Sequence, residues 1–228
     1  MNIILFGAPG SGKGTQAEKI KKKFNLFKVS TGDLLRDEIE KQSALGQEIK
    51  KIIEKGLFVT DNIVFDLIEK IISNKDYKNK LIFDGYPRNI NQSHTLEKLL
   101  SKYNQKIACV LCLKVDENNI VKRILGRQIC SKCGSIFNEY FMAPDKKNHS
   151  CDAKFLKKRS DDNEKVIKNR LEVYTKDTLP LLKHYKNQKI MHEIDGMRNI
   201  DDIYEEILSI IQPLDTWLFD VYLYKWRF

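Results

Sequence analysis

A glycine-rich segment near the start of the chain has the composition of a phosphate-binding loop. Residues 7–15 read Gly-Ala-Pro-Gly-Ser-Gly-Lys-Gly-Thr, between a short apolar run and a helical pattern. Glycines let the backbone wrap closely around phosphate oxygens, and the N-terminus of a following helix favours negative charge. The spacing G-x4-G-K fits the general P-loop, in which Lys13 reaches the phosphates. Gly14 stands where Ser or Thr is usual, and Thr15 comes one place later.

Arginine is scarce in this chain, which makes its positions informative. Of the 40 basic residues, eight are Arg. In a composition that favours Lys this strongly, a retained Arg indicates a need for the planar fork that binds phosphate or carboxylate. The arginines are Arg36, Arg88, Arg123, Arg127, Arg159, Arg170, Arg198 and Arg227. The first six lie beside the motifs described here, so we expect them to bind anionic groups.

Cysteines form a second candidate site. Cys130 and Cys133 make a C-x2-C knuckle, the usual first half of a zinc site, and Cys151 supplies a third thiol. The predicted ligand set is completed by Asp152, with His149 as the alternative fourth ligand. The other interpretation is a degenerate site whose remaining thiols are bystanders.

The other two cysteines, Cys109 and Cys112, repeat the C-x2-C spacing inside the apolar run 107–113. Strand geometry places residues three apart on opposite faces, so these thiols are predicted to be small core residues. The chain has five cysteines, and an odd number does not suggest a disulfide framework.

The elements that must position these residues alternate between strands and helices. Short apolar runs predict strands at 2–6, 27–29, 81–84, 107–115 and 190–194. Helical patterns follow residues 12 and 30 and recur at 61–73, 117–125, 163–176 and 201–211. This order predicts an α/β fold, a doubly wound parallel sheet of five strands flanked by helices.

Two segments depart from this alternation. Residues 127–162 contain turn residues and paired cysteines but no clear helix or core strand, which predicts an inserted functional lid. Residues 213–228 are rich in aromatic side chains and contain both tryptophans. This tail is consistent with an interfacial anchor, an interaction peptide, an added strand or helix on the core, an altered stop codon, or a poorly ordered end.

Composition limits the class of protein. Hydrophobic residues make up 42% of the 228 residues and charged residues 31%, which is typical of a globular protein. No apolar run approaches the ~20 residues that cross a bilayer, and the N-terminus lacks a basic leader. We therefore expect a cytoplasmic protein. The formal charge of +9 comes from scattered lysines without interleaved aromatics, so nucleic-acid binding is not the preferred interpretation.

Four motifs together resemble the nucleoside monophosphate kinases, and among them the adenylate kinase family. The phosphate loop carries the Gly-Thr ending of that group. The other three motifs are Ser30-Thr31-Gly32-Asp33-Leu34-Leu35-Arg36, Asp84-Gly85-Tyr86-Pro87-Arg88, and Arg159-Ser160-Asp161-Asp162 followed by Arg170. The resemblance covers residues 1 to about 211 in the family's order. It implies a P-loop kinase with an AMP-binding insertion at 30–60 and a lid at 127–162, leaving a core of 1–29, 61–126 and 163–212.

The resemblance implies reversible, magnesium-dependent transfer of a phosphoryl group from ATP to AMP, giving two ADP. An AMP phosphate is already ionised, so catalysis consists of positioning and charge neutralisation rather than strong base chemistry. Asp84 is similar to the family's acidic residue that holds magnesium through water. The family's lid zinc has a second pair of ligands three residues apart, and Lys154 breaks that spacing here.

The family's functional residues map onto this sequence as follows. The implied ATP-binding residues are Gly10, Ser11, Gly12, Lys13, Gly14, Thr15, Arg123, Arg127 and Arg198. The implied AMP-binding residues are Thr31, Arg36, Leu57, Val59, Gly85, Arg88, Gln92, Arg159 and Arg170. The implied catalytic residues are Lys13, Arg88, Arg123, Arg159 and Arg170. The family also implies a monomer.

Thr31 and Gln92 bear on the choice of acceptor. Gln92 matches the family glutamine that hydrogen-bonds adenine, whereas a pyrimidine kinase would carry a smaller residue at position 31. A kinase of the same fold that uses GTP as donor, or a pyrimidine monophosphate as acceptor, is the nearest alternative. A zinc-containing nucleic-acid-binding protein is the alternative from another class.

Overall fold

A five-stranded parallel sheet forms the centre of the molecule. The computed structural model describes residues 1–54, 59–159 and 161–224. The strands are β1 Asn2–Gly7, β2 Phe27–Ser30, β3 Leu81–Asp84, β4 Ile107–Lys114 and β8 Met191–Asp195, with β5 Arg127–Cys130, β6 Ile136–Asn138 and β7 Leu156–Lys157 in a separate sheet. The central order is β2-β3-β1-β4-β8, with every neighbouring pair parallel. The predicted fold class is confirmed.

Helices cover both faces of this sheet. They are α1 Lys13–Phe24, α2 Thr31–Glu40, α3 Ala44–Glu54, α4 Asp61–Ile72, α5 Ile90–Lys102, α6 Glu117–Leu125, α7 Glu164–Val173, α8 Leu179–Asn187 and α9 Ile200–Tyr224. Successive residues of β1 point to opposite faces, so Ile3 packs with α1 and α9 while Ile4 packs with α4, α5 and α8. Two apolar cores therefore hold the phosphate loop at the carboxyl edge of the sheet.

The paired cysteines of β4 follow the same alternation. Cys109 belongs to the core beneath α1 and α9, and Cys112 belongs to the opposite core. Both are about 1% exposed. Burial raises the pKa of the Cys109 thiol to about 12 and that of Cys112 to about 11. The prediction that these thiols are core residues is confirmed.

The helices after the lid differ from the sequence prediction. The pattern predicted one helix over 163–176, but α7 ends at Val173, a π-helical turn spans Tyr174–Thr178, and α8 follows at once. Pro180 lies in the first turn of α8, so its missing N–H falls at the junction with the π-helical turn.

The last helix is longer than predicted. We predicted its end near residue 211, yet α9 carries Pro213 inside the helix and continues to Tyr224. Leu214 packs against the core beneath α9, which favours continuation past the proline. No helix within the described ranges has both the length and the apolarity that crossing a membrane requires.

The inserted segment contains more order than its sequence pattern indicates. Strands β6, β5 and β7 pair antiparallel in that order. They have three, four and two residues, too few for an apolar alternation to register in the sequence. None of these three strands joins the central sheet, which agrees with the prediction of no core strand; they form a separate small sheet.

Ile68 tests the packing of α4 on the central sheet. It is fully buried, so Ile68→Ala leaves a cavity and is expected to lower the free energy of unfolding by about 3 kcal/mol in urea denaturation. Lys70→Ala, two residues along and exposed, is the matched control and should change it by less than about 0.5 kcal/mol. Equal losses for both variants would contradict the assigned packing.

Candidate active site and metal centre

The phosphate loop depends on backbone conformations that only glycine adopts freely. Gly10 has φ 79°, and an added Cβ there would lie 2.8 Å from Cγ1 of Ile124. Gly12, the N-cap of α1, has φ 97° and open space beside it. The loop is thus packed tightly against α6 at Gly10 and open at Gly12. At this open side the N-terminus of α1 can bind an anion.

Lys13 is folded back into this loop. Its Nζ donates hydrogen bonds to the carbonyl oxygens of Gly7 at 2.7 Å and Ala8 at 2.9 Å. Desolvation lowers the pKa of Lys13 to about 8; Asp84 acts against this effect, whereas Arg88 and Arg127 add to it. The ammonium therefore lies close to its titration range and gains charge stabilisation from any phosphate that enters.

Asp84 lies at the carboxyl end of β3, opposite Ser30 of β2. A Cβ added at Gly14 would lie 3.7 Å from Asp84 Oδ2, so the carboxylate stands beside the phosphate loop. A single carboxylate next to phosphate oxygens and water suits Mg²⁺, which keeps several waters and takes few protein ligands. The position at the carboxyl edge of the sheet therefore fits the magnesium role implied by the sequence.

One cavity gathers the predicted cationic residues. It is lined by Lys13 and by all seven arginines of the described chain, which are Arg36, Arg88, Arg123, Arg127, Arg159, Arg170 and Arg198. The loop residues Gly10, Ser11, Gly12, Gly14 and Thr15 line the same cavity, as do Asp84 and Gly85. Such a concentration of positive charge favours the binding of anions.

Two aspartates hold arginines at the far wall. Arg127, at the start of β5, forms a two-point ion pair with Asp162, whose side chain is 1% exposed. Arg170, on α7, pairs with Asp161. These contacts fix each guanidinium within the cavity wall.

Arg159, two residues after β7, leaves one of its side-chain donors open. Its Nε is buried and has no hydrogen-bond partner among the described residues. Burial lowers the pKa of Arg159 to about 10, and Arg127 and Arg36 add to this effect against the opposing Asp33 and Asp161. A buried donor left unpaired is costly, so this position favours an incoming anion.

Arg88 and Thr31 form a second anion-facing group beside Gly85. Arg88 donates from Nε to the Gly85 carbonyl at 2.8 Å and from Nη2 to Thr31 Oγ1 at 3.2 Å. Thr31 Oγ1 in turn donates to the Gly85 carbonyl at 3.1 Å. The backbone carbonyl of Arg88 accepts from Thr178 Oγ1, which anchors this turn from α8's side.

Gln92 is tied to this group but does not line the large cavity. Its Oε1 accepts from the Arg88 backbone N–H at 2.7 Å, and its Nε2 donates to Asp61 Oδ1 at 2.6 Å. Thr31 also borders a smaller apolar depression between α2 and α4. The depression is lined by Thr31, Leu34, Leu35, Val64 and Leu67.

The remaining predicted residues of this side have mixed positions. Arg36 pairs with Asp33 and lines the cavity. Burial alone would raise the pKa of Asp33, but Lys28 and Arg36 lower it to about 2. Val59 packs on the central core rather than in the cavity. Leu57 lies outside the described residues.

The opposite rim of the cavity combines a cation with an aromatic ring. Arg123 donates to the Gly196 carbonyl at 3.0 Å, and its guanidinium lies 5.5 Å from the centre of the Phe141 ring. Arg198 lines the cavity and pairs with Glu206 at its edge. Phe141 is half-exposed and comes from the inserted segment, a contact that the sequence pattern gave no reason to predict.

The cysteine cluster has a different fourth member from the predicted one. Ligand atoms of Cys130, Cys133, His149 and Cys151 all lie within 4.8 Å of one another. Asp152 is not a member of this cluster, and its carboxylate accepts the backbone N–H of Lys154 at 3.0 Å as a local cap. The alternative that the sequence left open, His149, is the residue that the fold brings to the three thiols.

The donor set fits a structural zinc ion. His149 Nε2 is buried with no hydrogen-bond partner in the described chain, so the site contains an orphaned lone pair or N–H beside three sulfurs. Three thiolates and one imidazole are a common closed zinc set with no open position. The cluster joins the turn after β5 to the segment before β7, so a bound ion would hold the small sheet together.

The parallel sheet, glycine loop and two-sided arginine cavity define a P-loop nucleoside monophosphate kinase. The adenylate kinase family model matches residues 5–190. The adenylate kinase of Pelagibacter ubique is 46% identical over 212 residues, which cover 93% of this chain and 100% of that protein. That of Caldicellulosiruptor saccharolyticus is 40% identical over 213 residues, with 92% and 99% covered. That of Archaeoglobus fulgidus is 35% identical over 218 residues, with 95% and 100% covered. The chain therefore belongs to the adenylate kinase family.

The fourth metal ligand can be tested by a matched pair of variants. We expect one zinc per chain after dialysis of the wild type, a large loss of zinc in His149→Ala, and no loss in Asp152→Ala. Elemental analysis with and without chelator measures the content. Loss of zinc in Asp152→Ala alone would contradict the assignment of His149.

The pKa of Lys13 predicts a pH dependence. The protonated ammonium is the form that binds phosphate, so kcat/KM for ATP should fall about tenfold per pH unit above pH 8 as the free enzyme loses this charge. Initial rates between pH 6.5 and 9.5 measure the profile. Lys13→Arg remains charged throughout, so any residual activity should not fall near pH 8. A flat wild-type profile would count against the Lys13 titration.

Proposed function

We propose that this chain catalyses reversible, magnesium-dependent transfer of a phosphoryl group from ATP to AMP, giving two ADP. The observation that carries this proposal is the convergence of Lys13 and seven arginines on one cavity between the phosphate loop and Arg88. Two nucleotides whose phosphates abut repel each other strongly. A surrounding set of cations holds them in line and offsets that repulsion.

The donor nucleotide is assigned to the side of the phosphate loop. The backbone of Gly10, Gly12 and Gly14 with the N-terminus of α1 would receive the ATP phosphates, and Lys13 would exchange its two carbonyl contacts for phosphate oxygens. Arg123 beside Phe141 forms a cationic and aromatic rim that suits a nucleotide base. Arg127 and Arg198 complete the predicted ATP-binding group.

The acceptor nucleotide is assigned to the side of Arg88. Arg36 and Arg88 line the cavity at the end where Thr31 and Gly85 are hydrogen-bonded to each other. Thr31 also borders the small apolar depression between α2 and α4, and Gln92 is joined to this side of the site through its contact with the Arg88 backbone. These positions agree with binding of AMP by its phosphate and its adenine.

Arg159 and Arg170 lie between the two assigned positions. The unpaired, buried Nε of Arg159 is suited to bind the moving phosphoryl group, because charge on its oxygens satisfies a donor that the protein leaves open. Arg170, oriented by Asp161, adds a second guanidinium from α7. When bound near Asp84, Mg²⁺ neutralises phosphate charge.

The small antiparallel sheet is assigned the role of a lid. A Cβ on Gly14 would lie 3.2 Å from Cδ1 of Ile136, so β6 reaches the phosphate loop itself. Residues of this sheet therefore displace water from the site where phosphate transfer occurs, which favours AMP over water as the acceptor. The metal centre is assigned a structural role in this lid.

We further propose a cytoplasmic monomer. Cys130, Cys133 and Cys151 can hold a metal only as free thiolates, a state that a reducing compartment maintains. Monomeric size-exclusion behaviour and a cytoplasmic fraction would agree with this assignment.

Turnover with separate acceptors tests the proposed reaction. ADP formation is measured with MgATP and AMP, CMP or UMP, and then with GTP replacing ATP. We expect turnover with ATP and AMP. Preference for CMP or UMP would overturn the acceptor assignment, and preference for GTP the donor assignment. Salt-dependent RNA binding without any turnover would overturn the proposed function as a whole.

Arg88 provides a mutational prediction. Arg88→Ala removes the guanidinium assigned to the AMP phosphate and should lower kcat/KM for AMP by about 10³-fold or more. Arg88→Lys keeps the charge but loses the fork, so it should recover only part of that loss. Circular dichroism and the Tm check that both variants fold. Near-normal turnover of folded Arg88→Ala would contradict this role.

A further inference from the structure

We propose that Asp61 is a positioning residue that fixes the side-chain amide of Gln92 and thereby selects a 6-amino purine over a 6-oxo purine at the acceptor site. This inference rests on the role proposed above for Gln92. It adds a determinant that neither the phosphate loop nor the arginine cavity contains. Asp61 lies at the start of α4, remote in sequence from the catalytic motifs.

The amide of Gln92 is held by two partners of opposite and fixed polarity. The backbone N–H of Arg88 can only donate, so the amide atom that it contacts at 2.7 Å must be Oε1. The carboxylate of Asp61 can only accept, so the atom at 2.6 Å must be Nε2. A flipped amide would place donor against donor and oxygen against carboxylate. The two contacts together therefore permit a single orientation.

Asp61 is an exposed residue at the point where α4 and α5 begin side by side. It belongs to the first turn of α4, where the positive end of the helix stabilises a carboxylate. Its second oxygen, Oδ2, lies 3.5 Å from Nδ2 of Asn89, the N-cap of α5. Asn89 also accepts the backbone N–H of Gln92 at 2.8 Å. The carboxylate thus connects the beginnings of α4 and α5, with Gln92 between them.

The oriented amide keeps one donor and one acceptor for a ligand. Nε2 has a second N–H, and Oε1 has a second lone pair. Adenine presents an amino donor at position 6 and an acceptor at N1, whereas guanine and hypoxanthine present an oxygen at position 6 and an N1–H donor. For a base bound in one pose, only one orientation of the Gln92 amide can form both hydrogen bonds. If the amide were reversed, both contacts with the base would be repulsive.

The location of this pair connects the two halves of acceptor binding. Val64, one turn after Asp61 on α4, lines the small apolar depression between α2 and α4. Arg88, whose backbone holds Gln92, contacts Thr31 at the other edge of the same depression. Gln92 is 8% exposed, so only a small part of its amide is open to a ligand. Its orientation is thus set by the protein before the base arrives.

Two substitutions of Asp61 separate positioning from helix stabilisation. Asp61→Ala removes the acceptor, whereas Asp61→Asn keeps a side-chain oxygen that can accept from Gln92. Both remove the charge at the start of α4 and should lower the Tm similarly. Asp66→Ala, which removes an exposed acid on the same helix, is the control for net charge.

The intact enzyme is assayed with MgATP and AMP, GMP or IMP. For Asp61→Ala we expect about a tenfold higher KM for AMP, kcat within about threefold, and a tenfold smaller preference in kcat/KM for AMP over IMP and GMP. Asp61→Asn and Asp66→Ala should keep that preference within about threefold. An unchanged preference in Asp61→Ala would overturn the inference, as would an equal loss in Asp61→Asn, which indicates a helix-stabilising role.

Gln92→Ala distinguishes this inference from the function on which it rests. If Gln92→Ala leaves the KM for AMP unchanged, the role proposed for Gln92 fails and the positioning role of Asp61 fails with it. If Gln92→Ala raises the KM and Asp61→Ala does not, only the positioning role fails. A raised KM in both, with recovery in Asp61→Asn, supports both assignments.

Discussion

Repulsion among like charges is the constraint on which the rest of this structure depends. Lys13 and seven arginines face one cavity, and burial of such groups without anions is unfavourable. The protein offsets this cost with backbone carbonyls around Lys13 and with carboxylates beside Arg36, Arg127 and Arg170. Arg159 keeps a donor open. The site is therefore arranged around the charge of its substrates rather than around its own neutrality.

The same constraint explains the division between rigid and inserted parts. Glycine conformations and two apolar cores fix the phosphate loop at the edge of the sheet. The guanidinium groups of Arg127 and Arg159 instead come from the small antiparallel sheet and the segment after it. The cations are thus divided between a fixed loop and an inserted sheet, and phosphate bound between the two sets lowers the repulsion between them.

Local sequence patterns predicted the central sheet and the phosphate loop. They did not predict contacts between residues that are distant in sequence. Apolar runs and a glycine motif depend on neighbouring residues, so the five central strands were found. The sequence could not decide between Asp152 and His149 as the fourth metal ligand, because both have unusual spacing. The fold of the loop decides, since it brings the His149 ring to the three thiols and leaves the Asp152 carboxylate as a local cap. The contact of Asp61 with Gln92 likewise joins two helices that no periodicity relates. The predicted end of α9 came too early, because packing of Leu214 on the core favours continuation of the helix past Pro213.

The buried pair of Arg127 and Asp162 has a consequence for how this chain can change over evolutionary time. The two residues stand at the two ends of the inserted segment, so their contact closes it into a loop anchored at its base. The chain between them can then lengthen, shorten or exchange its internal stabilisation at a small entropic cost, because the ends stay together whatever lies between. The insertion is in this sense a replaceable module, because a change to its Cys130, Cys133, His149 and Cys151 cluster need not move its base.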